Sequence, residues 1–370
     1  MHRFSFLIVA MAAMAGTTIG AEPQPKRPNV VLFVADDMGK QLGCYGDKLA
    51  RTPAIDQLAT EGTRYTRACC TTASCSPSRG VILTGRFGHA TGQYGLQHSY
   101  HRFQTIAELP TLPVLLSEAG YRVCSIGKVH VEPEKTFHFD SYHNEKTQGH
   151  RNPVAMAANA REWIAEKDNR PFFLYFCPSD PHRAAAGFAN KPRGGYPGVT
   201  PERFRAEEMI VPPWLPDLPE VKAELAEYYE SIARVDQGLA ALIKGLKETG
   251  HWDDTILIVT SDNGPPFPGA KTTLYQPGIE LPLIVRVPGQ TDAAVCDARV
   301  SFVDITPTIL EYCGAQPKTT PVANRIEKNA KTPVDGTLRP SLAPFHGRSF
   351  RETVGRSHVE GWDELYASHT

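Results

Sequence analysis

Five short, nearly unbroken apolar runs punctuate the chain, at residues 29–35, 122–126, 172–176, 255–260 and 283–287. Runs of this length, rich in β-branched and aromatic residues and lacking polar alternation, are the pattern of strands buried on both faces of a parallel sheet. Between them the apolar spacing changes to the helical period over 54–61, 111–119, 154–166 and the long stretch 221–249, and a further helix is expected at 303–312. Strands alternating with helices predict an α/β/α sandwich around a largely parallel central sheet. The Pro- and Gly-rich stretch 188–219 reads as an irregular excursion, and the polar sequence from Thr319 onward has no clear pattern. There is no internal repeat.

In such sheets ligands gather beyond the carboxyl ends of the strands. Four of the five runs end in chemically capable residues. Asp36-Asp37 follows the first and Gly127-Lys128-Val129-His130 the second; Asp180-Pro181-His182 comes shortly after the third, and Asp262-Asn263-Gly264 after the fourth. Asp36, Asp37, Asp262 and Asn263 together offer only oxygen donors, which suits a hard cation such as Ca²⁺ better than zinc. Each pair taken alone also fits a helix cap or a turn. Lys128 and His130, two apart at a strand end, face the same side.

Composition narrows the class further. With 370 residues, 41% hydrophobic and 21% charged, the chain has ample material for a large core, and its net charge of −1 gives no basic surface for nucleic acid. His2 and Arg3 precede an apolar run over 4–15 and small residues up to Ala21, so residues 1–21 read as a secretory signal. That places the mature protein in the periplasm or outside the cell, with no stable membrane span once the signal is removed. The eight cysteines form no CxxC pair, which argues against structural zinc, and leave disulfide pairing open.

One segment sharpens these expectations. Ala73 to Arg86 contains Cys75-Ser76-Pro77-Ser78-Arg79 followed by Leu83-Thr84-Gly85-Arg86. It resembles the signature of the type I, formylglycine-dependent sulfatases, a resemblance extending from about residue 28 to at least 287. The family implies an alkaline-phosphatase-like fold. It implies that a formylglycine-generating enzyme reads the motif and oxidises Cys75, and that Ser76 merely starts a helix. It implies a Ca²⁺ site of Asp36, Asp37, Asp262, Asn263 and the modified residue 75. By the same match Arg79, Lys128, His130, His182 and Lys271 are catalytic or sulfate-binding.

The residue types suit that chemistry. Hydrated formylglycine places two hydroxyls on one carbon, one to attack sulfur and one to lose its proton to His130 so that sulfate is expelled. Arg79 and Lys128 would hold the hydrate, while His182 and Lys271 would bind sulfate and protonate the leaving group. Segments such as Gln93-Tyr94-Gly95-Leu96, His101-Arg102-Phe103 and Asp180-Pro181-His182-Arg183 resemble one branch, the N-sulfoglucosamine sulfohydrolases. That branch implies a glucosamine N-sulfate of heparan or heparin type as substrate. His101 and Asp180 are then expected at the sugar, Asp180 beside the departing nitrogen.

Family members continue into a smaller C-terminal domain with an antiparallel sheet. Residues 22–315 are accordingly read as the catalytic domain and 316–370 as a remnant or start of that subdomain, either truncated or a minimal variant with an open pocket. Within the tail, Gly347-Arg348-Ser349 matches the family, and Ser357-His358 is expected to line the pocket. The alternatives are an O-sulfatase on another sugar, a phosphonate or phosphodiester hydrolase of the same fold, and an inactive remnant that binds sulfated glycans.

Overall fold

A computed structural model describes residues 27–100, 102–315 and 345–368. The expected signal at 1–21 and His101 lie outside the described residues, as does most of the tail read as a subdomain remnant.

The strands are β1 (Asn29–Ala35), β2 (Thr63–Cys69), β3 (Arg122–Gly127), β4 (Ser141–Tyr142), β5 (Phe172–Cys177), β6 (Thr255–Ser261), β7 (Glu280–Arg286) and β8 (Ala294–Cys296). The α-helices are α1 (Pro53–Thr60), α2 (Cys75–Thr84), α3 (Gly88–Thr91), α4 (Leu112–Glu118), α5 (Pro153–Ile164), α6 (Pro219–Glu248), α7 (Gln276–Ile279) and α8 (Ile305–Tyr312). The strands form one eight-stranded sheet in the order β4-β3-β5-β1-β6-β7-β2-β8. Only β7 runs against its neighbours, pairing antiparallel with β6 and with β2.

Successive side chains of β1 point to opposite faces and enter two separate cores. Val30, Leu32 and Val34 pack with Ile82 of α2, Leu112 and Leu116 of α4 and Ile309 of α8. Val31, Phe33 and Ala35 pack with Ile55 of α1, Met156 and Trp163 of α5 and Leu239 of α6. Helices therefore cover both faces, which is why β1 reads as an unbroken apolar run.

The strand order brings four chemistry-bearing ends together. β3, β5, β1 and β6 are consecutive neighbours and all parallel, in register Phe33↔Phe176 and Phe33↔Val259 at the centre. Their carboxyl ends, followed by Lys128, Asp180, Asp36 and Asp262, thus open on one edge. The run at 283–287 belongs to the longer, reversed β7.

Residues 345–368 fold back onto the same body. Phe350 and Trp362 are buried in the core that holds α8. The backbone N–H groups of Arg348 and Phe350 donate to Asp304 and Thr308 at 2.9 Å each. Gly347 lies against the Val303 carbonyl where no Cβ would fit. The structure gives Ser357-His358 a different place from the expected pocket lining: His358 is exposed and pairs with Asp297 at 3.0 Å. All eight cysteines are free thiols, and all but Cys44 are buried.

Candidate active site

α2 starts at Cys75, directly after the extended Ser74, and all ten of its residues are buried. The Cys75 side chain meets the end of β1, with Sγ 3.5 Å from Asp36 Oδ1 and 3.8 Å from Asp37 Oδ1. Burial pushes this thiol above its ordinary range. As it stands, Cys75 is a protonated group and not a thiolate nucleophile.

Three carboxylates and three cations interlock around it. Lys128 Nζ donates to Asp36 at 2.6 Å, and Lys271 Nζ reaches both oxygens of Asp37, at 2.6 and 2.8 Å. Lys271 Nζ also lies 3.2 Å from Cys75 Sγ. Arg79, one turn into α2, is completely buried; its Nε donates to Asp262 at 2.8 Å and one terminal nitrogen to the Lys128 carbonyl at 2.8 Å. Burial opposes charge on Lys128 and Lys271, but the facing carboxylates outweigh it and hold both amines above their usual range. Burial would likewise raise Asp36, yet Lys128 and Arg79 hold its carboxyl well below the ordinary value.

The chain bends sharply where these groups meet. Asp37 and Thr272 adopt left-handed backbone angles, φ 68° and 64°, as does His130 at 59°. Non-glycine residues rarely accept such angles, and strain of this kind collects at functional sites. His130 stacks on His98 with centroids 4.8 Å apart. Burial lowers its imidazole to about 2, with Lys128 and Arg79 acting in the same direction, so the ring is neutral at working pH. His182 is a third exposed and points Nε2 at Asp37 Oδ2, 3.8 Å away.

The carboxylate and amide oxygens here suit a hard cation, whereas the thiol and imidazole beside them do not. Asp36, Asp37, Cys75 and His182 each place one ligand atom within 4.8 Å of the others. Asn263 adds an oxygen whose orientation is fixed, because its amide nitrogen donates to Asp37 at 2.7 Å and to the Gly264 carbonyl at 2.9 Å. Its Oδ1 is buried and without a hydrogen-bond partner, as a ligand atom would be. Asp262 Oδ1 accepts from the backbone N–H groups of Asp37 and Asn263, at 3.0 and 2.8 Å, tying the two strand ends together.

Asp180 stands apart from its expected role. It is fully buried and both its oxygens are engaged, one by Arg151 and one by Arg234, at 2.6 Å each. Enclosed and paired with two arginines, it anchors the loop that carries His182. Arg151, Arg234 and Tyr175, whose hydroxyl lies 3.4 Å from Arg79, were not singled out by the sequence. Each reaches the site through tertiary contact, and nothing in its local pattern marks it.

Beside the cluster lies a cavity of about 240 Å³ lined by Ser74, Tyr94, Leu96, Phe103, Thr272 and Leu274. Ser74 and Thr272 are the chain neighbours of Cys75 and Lys271.

Known proteins share both the sequence and the fold. The human N-sulphoglucosamine sulphohydrolase is 37% identical over 302 residues, covering 77% of this chain and 60% of the relative, so the chain spans well under two thirds of its length. A structure solved with its substrate D-glucosamine-2-N,6-O-disulfate superposes with a TM-score of 0.66 at 20% identity, covering 93% of this chain and 85% of the other. The phosphonate monoester hydrolase of Agrobacterium radiobacter superposes with a TM-score of 0.63 at 19% identity, covering 92% and 79%. The fold is thus the alkaline-phosphatase-like sandwich. The pattern of the sulfatase family matches residues 28–315, from just ahead of β1 to the end of α8. Spanning every strand of the sheet and the whole Cys75 cluster, that match makes this chain a member of the sulfatase family.

Proposed function

We propose that the chain is a Ca²⁺- and formylglycine-dependent sulfatase that removes N-sulfate from glucosamine residues of heparan-type glycans, working in the periplasm or outside the cell. The observation that carries this reading is the cluster around Cys75, where a buried residue meets three carboxylates, three cations and an unpartnered amide oxygen. The 37% identity to the human N-sulphoglucosamine sulphohydrolase supports the choice of substrate. Among the described residues no helix is long and apolar enough to cross a membrane.

Asp36, Asp37, Asp262 and Asn263, with residue 75, would hold the cation, which supplies charge to draw an anionic substrate and make an adjoining hydroxyl acidic. Formylglycine at position 75, made by a generating enzyme, supplies as its hydrate an oxygen nucleophile that the thiol does not. The remaining work falls to neighbouring side chains. Three lysine and arginine charges already balance Asp36, Asp37 and Asp262, so a dication leaves the pocket net positive and suited to a sulfuryl group. Arg79 and Lys128 neutralise charge that gathers beside residue 75. Lys271 and His182 face the sulfate, and His182 passes a proton to the departing amine. His130, held neutral, accepts a proton. The aromatic walls of the adjoining cavity, Tyr94 and Phe103, would receive the sugar.

Phosphonate or phosphodiester hydrolysis on this fold is the second reading. With formylglycine in place of the Cys75 thiol, Asp36, Asp37 and the unpartnered Asn263 oxygen leave His182 as the single nitrogen donor of the cluster among the described residues, which favours a hard cation over a transition metal.

The deciding experiment co-expresses the chain with a formylglycine-generating enzyme. It then measures sulfate release from N-sulfoglucosamine, O-sulfated sugars and a phosphonate monoester, with Ca²⁺ present. Release from the N-sulfate, abolished in Cys75→Ala, is expected. Release from O-sulfated sugars alone discards the substrate and keeps the mechanism. Turnover of the phosphonate alone favours the second reading, and binding of sulfated glycan without turnover makes the chain a remnant.

A further inference from the structure

The loop that carries His182 into the site is held by two guanidinium groups, of which Arg151 reaches the backbone around His182 itself. Arg151 lies just ahead of α5, and one of its terminal nitrogens donates to Asp180 Oδ1 at 2.6 Å and to the His182 carbonyl at 2.9 Å. Its other terminal nitrogen reaches the Arg183 carbonyl at 3.4 Å. The same Arg183 carbonyl lies 2.5 Å from His182 Nδ1. A carbonyl oxygen only accepts, so Nδ1 carries the hydrogen and Nε2 is the nitrogen turned toward Asp37.

A second arginine completes the brace. Arg234 of α6 donates Nε to the other Asp180 oxygen at 2.6 Å and a terminal nitrogen to the Phe188 carbonyl at 3.1 Å. The Asp180 carbonyl in turn accepts from the Asp36 N–H at 3.1 Å, joining the brace to the end of β1. Arg234 is fastened to the body of the protein. Arg151 is the member that touches the carbonyl on which the His182 ring rests.

We propose that Arg151 is a positioning residue that, by holding the carbonyl bound to His182 Nδ1, keeps Nε2 aimed at the leaving group. The inference rests on the reading of His182 as proton donor, a role in which the ring acts as the imidazolium, with Nδ1–H held by the Arg183 carbonyl and the transferred proton on Nε2. Without the guanidinium the Arg183 carbonyl loses its second partner, and the imidazole is free to turn about Cβ–Cγ, which takes Nδ1 off that carbonyl and puts a ring carbon where Nε2 stood. The defect is then confined to reactions that need a proton on the departing atom. An amine leaving a sulfamate needs one; a nitrophenolate, already a good leaving group, does not.

The test compares Arg151→Gln and Arg151→Lys with the parent protein, each matured with the generating enzyme and saturated with Ca²⁺. On N-sulfoglucosamine, kcat of Arg151→Gln is expected to fall roughly 10- to 100-fold with little change in KM, at or below the low end of general-acid effects because His182 itself remains. On 4-nitrophenyl sulfate the loss is expected to stay below about threefold, a step too small to involve general acid. Arg151→Lys, which retains charge but not the fork, restores part of the first activity. Independently of activity, ¹⁵N-histidine spectra taken at a pH where the ring is neutral, with His182 assigned by its loss in His182→Gln, show an Nδ1–H tautomer in the parent and a mixture in Arg151→Gln. Equal losses on both substrates with an unchanged tautomer would overturn the proposal. If the parent hydrolyses neither substrate, the sulfatase reading fails, while the spectra still decide the role of Arg151. If Arg151→Gln does not fold, the same comparison with Arg151→Lys decides it.

Discussion

Each cation at the site has a specific counter-charge, and the histidines differ in what surrounds them. His130 is largely buried and faces Lys128 and Arg79, so its ring is neutral at working pH. His182 is partly exposed and faces a carboxylate. On the proposed chemistry these two environments separate the two proton transfers, with His182 serving departure of the amine and His130 expulsion of sulfate. His130→Ala is therefore expected to release about one equivalent of leaving group per active site and then stall. Sulfate release would lag behind, a burst readable in a rapid-mix assay. A His130→Ala enzyme that turns over steadily with equal amounts of both products would show that this residue is not the base.

Elements decide how closely the strand ends approach. Gly264, next to Asn263, is packed so tightly that a Cβ would collide with the Pro277 carbonyl. Gly264→Ala must push apart the turn after β6 and the segment entering β7, moving the Asn263 oxygen. A loss of about 1–3 kcal/mol in stability is expected from the overpacking. Calcium binding should raise the parent's melting temperature, by the equivalent of about 2.7 kcal/mol at a hundredfold excess over Kd. Thermal melts with and without Ca²⁺ should show that rise shrink in Gly264→Ala; an unchanged calcium increment would remove Asn263 from the ligand set. The sequence disclosed the buried strands and the site residues that follow them, because burial on both faces leaves an unbroken apolar run. β2 escaped notice because it is half covered: Tyr65 and Ala68 are buried while Arg67 is exposed, so its residues Thr63–Cys69 look polar. β4 and β8, two and three residues long, are too short to leave a pattern. Asp180 was legible as a site residue but not as the core of an arginine brace, since Arg151 and Arg234 come from 29 and 54 positions away.

At the scale of the molecule, stability depends on carboxyls far from the site. Asp236 of α6 accepts from the N–H groups of Ala54 and Ile55 at the start of α1, at 3.1 and 2.8 Å. Burial raises its carboxyl to about 7 against these hydrogen bonds. The folded chain then holds this proton over a range, from about 4 to about 7, where the unfolded chain has lost it. With more protons bound in the folded state, stability falls as pH rises through that window. Melting temperatures from pH 4.5 to 7.5 should show a decline that is shallower in Asp236→Asn; identical slopes would mean that the carboxyl is ionised throughout. The complete burial of α2 bears on the life history of the protein. An enzyme that must grip the 75–79 stretch finds no edge of it on the finished surface, with every residue from Cys75 to Thr84 enclosed. On the proposed chemistry, conversion of Cys75 would therefore belong to the interval between synthesis and closure of the sheet. The active fraction in any preparation would then be set by a race between two rates, and a chain that folded too quickly would be locked in the thiol form.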